Sequence, residues 1–209
     1  IAQAIQPRDL AGNVDLQNGR IVLLSIGMSN TTQEFSTFVP ISNADPQRNP
    51  RVVVVDGAQG GQHAGIIVDP NAPFWTVIEQ RLATAGVSVR QVAALWIKQA
   101  VAQPTGGFPA HAQSLQGLLA QIARITKTKY PNVALCYLSS RIYAGYATTT
   151  LNPEPYAYES AFSVKWLIED QINGVANLNY DPARGGVVAP WLAWGPYLWA
   201  DGVRPRSDS

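Results

Sequence analysis

Short apolar runs that stop at glycine or small polar residues, with helical spacing between them, constrain this chain more than anything else in it. Ile21-Val22-Leu23-Leu24-Ser25-Ile26 reads as a buried strand that breaks at Gly27-Met28-Ser29-Asn30. Val52-Val53-Val54-Val55 is β-branched throughout, too short for a helix, and ends in Asp56-Gly57-Ala58-Gln59-Gly60-Gly61-Gln62-His63. Val92-Ala93-Ala94-Leu95-Trp96-Ile97 runs into Lys98-Gln99-Ala100, and Val133-Ala134-Leu135-Cys136-Tyr137-Leu138 runs into Ser139-Ser140-Arg141. Helix signals lie between. Pro73 suits a first helical position, and Gly86 suits the end of a helix over 74–85. Leu115, Leu118, Leu119, Ile122 and Ile125 keep helical spacing across about 111–127. Ala161, Val164, Ile168 and Ile172 place an apolar stripe on a helix over about 156–173, ended by Asn173-Gly174. Strands alternating with helices predict an α/β domain, its parallel sheet covered on both faces.

In such a sheet ligands sit outside the carboxyl ends of the strands, which puts Ser29 where chemistry takes place. Ser29 is a candidate nucleophile if a base and oxyanion donors converge on it. The plain alternative is a turn with a capping serine. Ser25 comes before the strand ends and is expected to pack. The polar ends of the other strands share the same edge, bringing a glycine pair and an amide-bearing residue towards Ser29.

Composition narrows the field. With 209 residues, 46% of them hydrophobic, one domain with an ample core is expected over 1–209. A net charge of +1 gives no footprint for nucleic acid or an anionic membrane surface. No apolar run approaches the roughly 20 residues of a membrane span. Charged residues make up 14% beside 17 glycines and 15 prolines, a loop-rich globular composition. The single cysteine, Cys136, falls inside a predicted strand and reads as a buried, inert residue. No repeat and no coordinated Cys, His and carboxylate set is visible, so neither metal nor other cofactor is expected. The glycine pair lacks the spacing of a dinucleotide fingerprint. Residue 1 is Ile, so an upstream segment is expected, and a removed secretory signal is one explanation for it.

Serine after the first strand, glycine after the second and an amide after the third resemble the SGNH (GDSL-type) hydrolases. Gly27-Met28-Ser29-Asn30 is similar to their Gly-Asp-Ser block, with Met28 in the aspartate's place. Gly60-Gly61-Gln62 resembles the second block, whose glycine amide lines the oxyanion hole. Trp96-Ile97-Lys98-Gln99 takes the place of the third, and its leading tryptophan is closer to the sialate O-acetylesterase-like branch, which has Trp-x-Gln-Gly-Glu. The resemblance implies a three-layer α/β/α flavodoxin-like fold and a serine esterase acting on an acyl ester, acetyl foremost, of a carbohydrate or another small molecule. In it Ser29 attacks, while the Ser29 and Gly61 amides and a side chain from Lys98 or Gln99 hold the oxyanion. Asn30, Gly60 and His63 would line the substrate site.

The family's closing Asp-x-x-His block has no counterpart here, and His63 and His111 are the only histidines. The expectation is a chain truncated at its C-terminus or lacking its base, with residues 190–202 as the approach to that block. His63 follows the oxyanion glycine rather than standing where the base would. His111, after Pro109, is expected at the surface or as a helix cap. Two loops, 103–109 and 144–155, flank the active edge. Tyr143, Tyr146, Asn152, Glu154 and Tyr156, in and around the second, mix aromatic, amide and acid groups in a way that suits a sugar ring, and equally suits a tethered loop. Among these, Tyr143 and Glu154 are candidate substrate contacts. The alternative to an esterase is a carbohydrate-binding protein that keeps the fold without turnover.

Overall fold

A computed structural model describes residues 5–200. Five strands form one sheet in the order β2-β1-β3-β4-β5, every pairing parallel. They are β1 (Ile21–Gly27), β2 (Val52–Val55), β3 (Val92–Lys98), β4 (Leu135–Leu138) and β5 (Trp191–Trp194). Between them run α1 (Ser29–Ala44), α2 (Ala64–Ile67), α3 (Pro73–Thr84), α4 (Ala110–Lys129) and α5 (Tyr156–Ile172). From β1 the chain steps one way to β2, then reverses past β1 to β3 and continues to β5. Right-handed crossovers therefore put α1 on one face of the sheet and the later helices on the other. The result is the three-layer α/β/α arrangement with flavodoxin-like strand order.

Alternation along the strands sends side chains to these two faces in turn. Leu95 and Ile97 of β3 join the main core with Leu24, Ile26, Cys136, Leu138 and Leu192, against Ile78 and Leu82 of α3, Leu115 and Ile122 of α4 and Leu167 of α5. Trp96 and Lys98 face α1 instead, where the Trp96 ring stacks on Phe35 at 5.1 Å. Fully burying a leucine, isoleucine or phenylalanine contributes about 1.5–3 kcal/mol, so this core is the main source of stability. Cys136 lies wholly within it, and burial pushes its thiol well above the ordinary range.

The predicted elements stand with small shifts. Pro73 opens α3, and Gly86 follows it at φ +71°, a left-handed conformation that favours glycine. β4 starts two residues later than its apolar run, at Leu135. On α5 the buried stripe is Val164, Leu167, Ile168 and Gln171, while Ile172 is 72% exposed, so the predicted stripe is rotated by part of a turn. Besides the four-residue α2, two elements had no sequence expectation. α1 buries only Thr31 and Phe35 and contains Pro40, so its apolar periodicity is faint. β5 is a four-residue edge strand inside the segment read as the approach to a catalytic block.

His111 corrects another expectation. It is 4% exposed and lies in the first turn of α4, where its Nδ1 meets Glu159 Oε2 of α5 at 3.2 Å. Its ring meets the Tyr156 ring edge-on at 4.5 Å. Capping positions are set by local sequence, but this contact joins residues 48 apart in the chain. The pair pins the start of α4 to the start of α5. His111→Leu should leave Glu159 buried without its partner and cost about 3 kcal/mol. The double variant His111→Leu/Glu159→Leu should recover much of that loss, as measured by urea denaturation; equal stability of the single variant and the parent would contradict the bracing role.

Candidate active site

The reversal of strand order between β1 and β3 opens a crevice at their carboxyl ends, the usual place for a ligand in an open parallel sheet. Gly27 ends β1 in register with Lys98, which ends β3. Gly27 has no room for a side chain, because a Cβ there would overlap Thr31. Met28 is buried and provides no side-chain cap, so α1 begins at Ser29 with its first amides unpaired within the helix. Ser29 is exposed. Ser25, four residues earlier, is fully buried: its hydroxyl donates to Asp56 Oδ1 at 2.5 Å and accepts from the Gly57 amide at 3.0 Å. The two serines therefore differ in kind. One braces the loop after β2 and the other is exposed at the start of α1.

That loop carries Gly60 and Gly61 to Ser29, and it is held from several sides. The Gln59 amide donates to Gly27 O at 3.0 Å, and Thr32 Oγ1 of α1 donates to Ala58 O at 2.7 Å. From α3, Arg81 Nη1 reaches Asp56 O at 2.9 Å and Ala58 O at 2.8 Å. A Cβ on Gly60 would stand 3.9 Å from Ser29 Cβ, an ordinary contact distance, so the two residues are immediate neighbours. Gly61 has φ +76° and open space on its side-chain side. His63 is the N-cap of α2 without a side-chain cap bond, and its Nδ1 is buried with no partner.

Lys98 and Gln99 are both buried at the end of β3. The Lys98 ammonium forms an ion pair with Glu34 Oε1 of α1 and lies 5.8 Å from the Trp96 ring centre. Gln99 Nε2 donates to Gln62 O at 3.1 Å, tying β3 to the glycine loop. Beyond β4, Arg141 Nε donates to Asn152 Oδ1 at 3.3 Å while its Nη1 is buried without a partner. Glu34 Oε2, Gln62 Oε1, Ser140 Oγ and both amide atoms of Asn30 are likewise buried and unpartnered. Buried polar atoms are nearly always hydrogen-bonded in folded proteins, so a concentration of unpaired ones on the loops and helix start at this sheet edge marks it as a place for a ligand or ordered water.

The 144–155 loop is organised differently from the crevice. Glu154 accepts from the Ala144 amide at 2.8 Å, the Tyr158 amide at 2.9 Å and Trp199 Nε1 at 2.9 Å. Tyr143 packs edge-on against Tyr146 and Trp199, both at 5.5 Å. Both side chains are thus occupied in holding the loop. Glu34 and Arg141 are the participants that sequence reading missed. Glu34 sits on a helix without a clear periodic signal, and nothing local marks Arg141 as half-buried with a buried Nη1. Among the described residues no group of three or more His, Cys, Asp or Glu is arranged to hold a metal ion.

Comparison with known proteins places little beside this geometry. No protein-family model matches the sequence, and no curated protein matches it. One solved structure it resembles is described as "a putative SGNH hydrolase from Slackia heliotrinireducens". That likeness has a TM-score of 0.39 at 15% identity, over 73% of this chain and 76% of the other.

Lys98 offers a test of the site's electrostatics. Burial pulls its ammonium down from 10.5 to about 8, against the upward pull of Glu34. Below about pH 8 folded and unfolded chains both carry the proton, and the full cost of the buried charge is present. Between about 8 and 10.5 the unfolded chain retains a proton that the folded chain has released, so this group's contribution to stability rises with pH. The stability of the parent relative to Lys98→Met should therefore increase between about pH 7.5 and pH 10 in paired denaturation curves. A constant difference across that window would contradict the buried ammonium.

Proposed function

We propose that this chain is a serine esterase of the SGNH type, with Ser29 as the nucleophile. The observation that carries the reading is the placement of Ser29: exposed at the start of α1, beside Gly60, at the switch point between β1 and β3. Attack by the Ser29 hydroxyl on an ester carbonyl forms a tetrahedral oxyanion and requires that the hydroxyl proton pass to a base. In this reading the first amides of α1 and the Gly61 amide would hold that negative charge, and the positive end of the helix dipole would favour it further. Each such donor contributes about 3–4 kcal/mol of transition-state stabilisation in well-studied hydrolases. Lys98 and Gln99 stand at the end of β3, the strand paired with β1. In this reading they hold α1 and the glycine loop in position, through Glu34 and Gln62, as much as they face the oxyanion. The substrate class is an ester of a short acyl group, acetyl foremost, carried by a carbohydrate alcohol.

A second reading, sugar binding without turnover, draws on a different observation. Among the described residues no histidine is hydrogen-bonded to Ser29, and His111 is committed to Glu159. Hydrolysis of 4-nitrophenyl acetate separates the two readings. The parent should turn over the ester, and Ser29→Ala should lose about a thousandfold or more in kcat/KM while melting at the parent's temperature, because Ser29 is exposed. Ser25→Ala should instead lower the melting temperature, through the loss of its hydrogen bonds to Asp56 and Gly57. Near-normal turnover by Ser29→Ala would remove the nucleophile assignment, and sugar binding with no turnover by the parent would favour the second reading.

A further inference from the structure

The esterase reading leaves unexplained why unpaired polar atoms continue past Ser29. Asn30 adjoins the serine, and Glu34 lies one turn further on the same side of α1, since residues four apart share a helix face. Both amide atoms of Asn30 and the second carboxylate oxygen of Glu34 are buried without partners. Arg141 answers them from the end of β4. Its side chain is held by Asn152 Oδ1 at 3.3 Å, and Asn152 is itself anchored by donating to Val101 O at 3.2 Å. The Arg141 amide donates to Ser160 Oγ of α5 at 2.9 Å, which fixes the backbone as well. The guanidinium is thus pre-positioned, with Nη1 buried and unpaired.

The charges around it decide what the gap will accept. Glu34 and Glu154 both favour the Arg141 charge, yet neither forms an ion pair with it among the described residues. Glu154 already accepts three N–H donors, and one oxygen of Glu34 is taken by Lys98. An anion in this space would meet the free oxygen of Glu34 and be repelled. A hydroxyl group satisfies both sides, accepting from Arg141 Nη1 and donating to Glu34 Oε2. The Asn30 amide, with a donor and an acceptor, suits a neighbouring hydroxyl in the same way.

We infer that Asn30, Glu34 and Arg141 form a subsite for the alcohol part of the substrate, reading two free hydroxyls next to the ester-bearing carbon of a neutral polyol or sugar. The inference rests on the esterase reading only for the direction of the substrate; the subsite can be tested without turnover. On that geometry Arg141 is a specificity-determining residue, and simple aryl esters would bypass it.

The test uses methyl β-D-xylopyranoside as the binding probe, titrated by NMR into the Ser29→Ala form of the full chain and into the same form carrying Arg141→Met. Binding should weaken tenfold or more in the second. Arg141→Lys keeps the charge for folding but cannot present the planar fork, and it should lose binding as well. Melting curves identify any variant that has unfolded. In the active protein, Arg141→Met should raise KM for methyl 3-O-acetyl-β-D-xylopyranoside, with a loss of kcat/KM at least tenfold larger than its loss on 4-nitrophenyl acetate. Sugar binding indifferent to Arg141, or equal losses on the two esters, would overturn the subsite and leave these atoms to ordered water. Arg141-dependent sugar binding without hydrolysis of either ester would keep the subsite and refute the esterase. Hydrolysis of both esters with no Arg141 dependence would do the reverse.

Discussion

Everything at this sheet edge depends on one topological constraint: the crossovers that leave β1 and β3 run in opposite directions, and all must be right-handed. The chain leaves β1 through α1 towards β2 and later passes back over β1 to reach β3. The segments that follow β1 and β3 therefore diverge, and the space between their carboxyl ends cannot be filled by either connection. Gly27 and Lys98 are register partners where the two strands end, and whatever follows each of them starts at that point. Ser29 owes its exposure to this divergence as much as to its own polarity.

A second level of organisation makes the opening a defined shape. The loop after β2 has few apolar side chains with which to pack, so hydrogen bonds to its neighbours fix it instead. Ser25, Gly27, Thr32, Phe74 and Arg81, from β1, α1 and α3, all bond to residues 56–59. A turn held this way can carry two glycines next to a reactive group without wandering, and pre-positioning of that kind is what electrostatic catalysis needs. Residues 56–59 meet the cost of burying polar groups with paired backbone and side-chain atoms, whereas Gln62 Oε1 and His63 Nδ1 further along the loop stay unpaired.

Charge burial follows the same logic on both faces of the sheet. Lys98 is carried to the end of β3 by the strand's alternation and has Glu34 as its counter-ion; His111 Nδ1 meets Glu159 Oε2. Each pair ties a helix start to a part of the fold distant in sequence. Partners are lacking at Asn30, which follows Ser29, at Glu34 Oε2 one turn along α1, and at Arg141 Nη1 after β4. Two further buried atoms among the described residues lack partners: His111 Nε2 at the start of α4, and the hydroxyl of Tyr130, a phenol whose ionisation burial strongly opposes.

The sequence by itself determined the strands β1 to β4, the helices α3, α4 and α5, and the side of the sheet on which Ser29 stands. Those features rest on local periodicity and on chain breakers such as Pro73 and Gly86, which act within a few residues. It also separated Ser25 from Ser29, since strand alternation and the position of the break suffice for that. α1 and β5 were not legible, because a helix burying two residues and an edge strand of four carry too little pattern. His111 was misjudged for a related reason: burial by Glu159 and Tyr156 comes from a helix that packs alongside, and no spacing within 109–127 encodes it. Only the tertiary structure brought Glu34 to Lys98 and Arg141 to the same edge. Those residues lie 64 and 107 positions from Glu34, and their meeting is decided by strand order, which depends on crossover handedness and core packing rather than on local sequence.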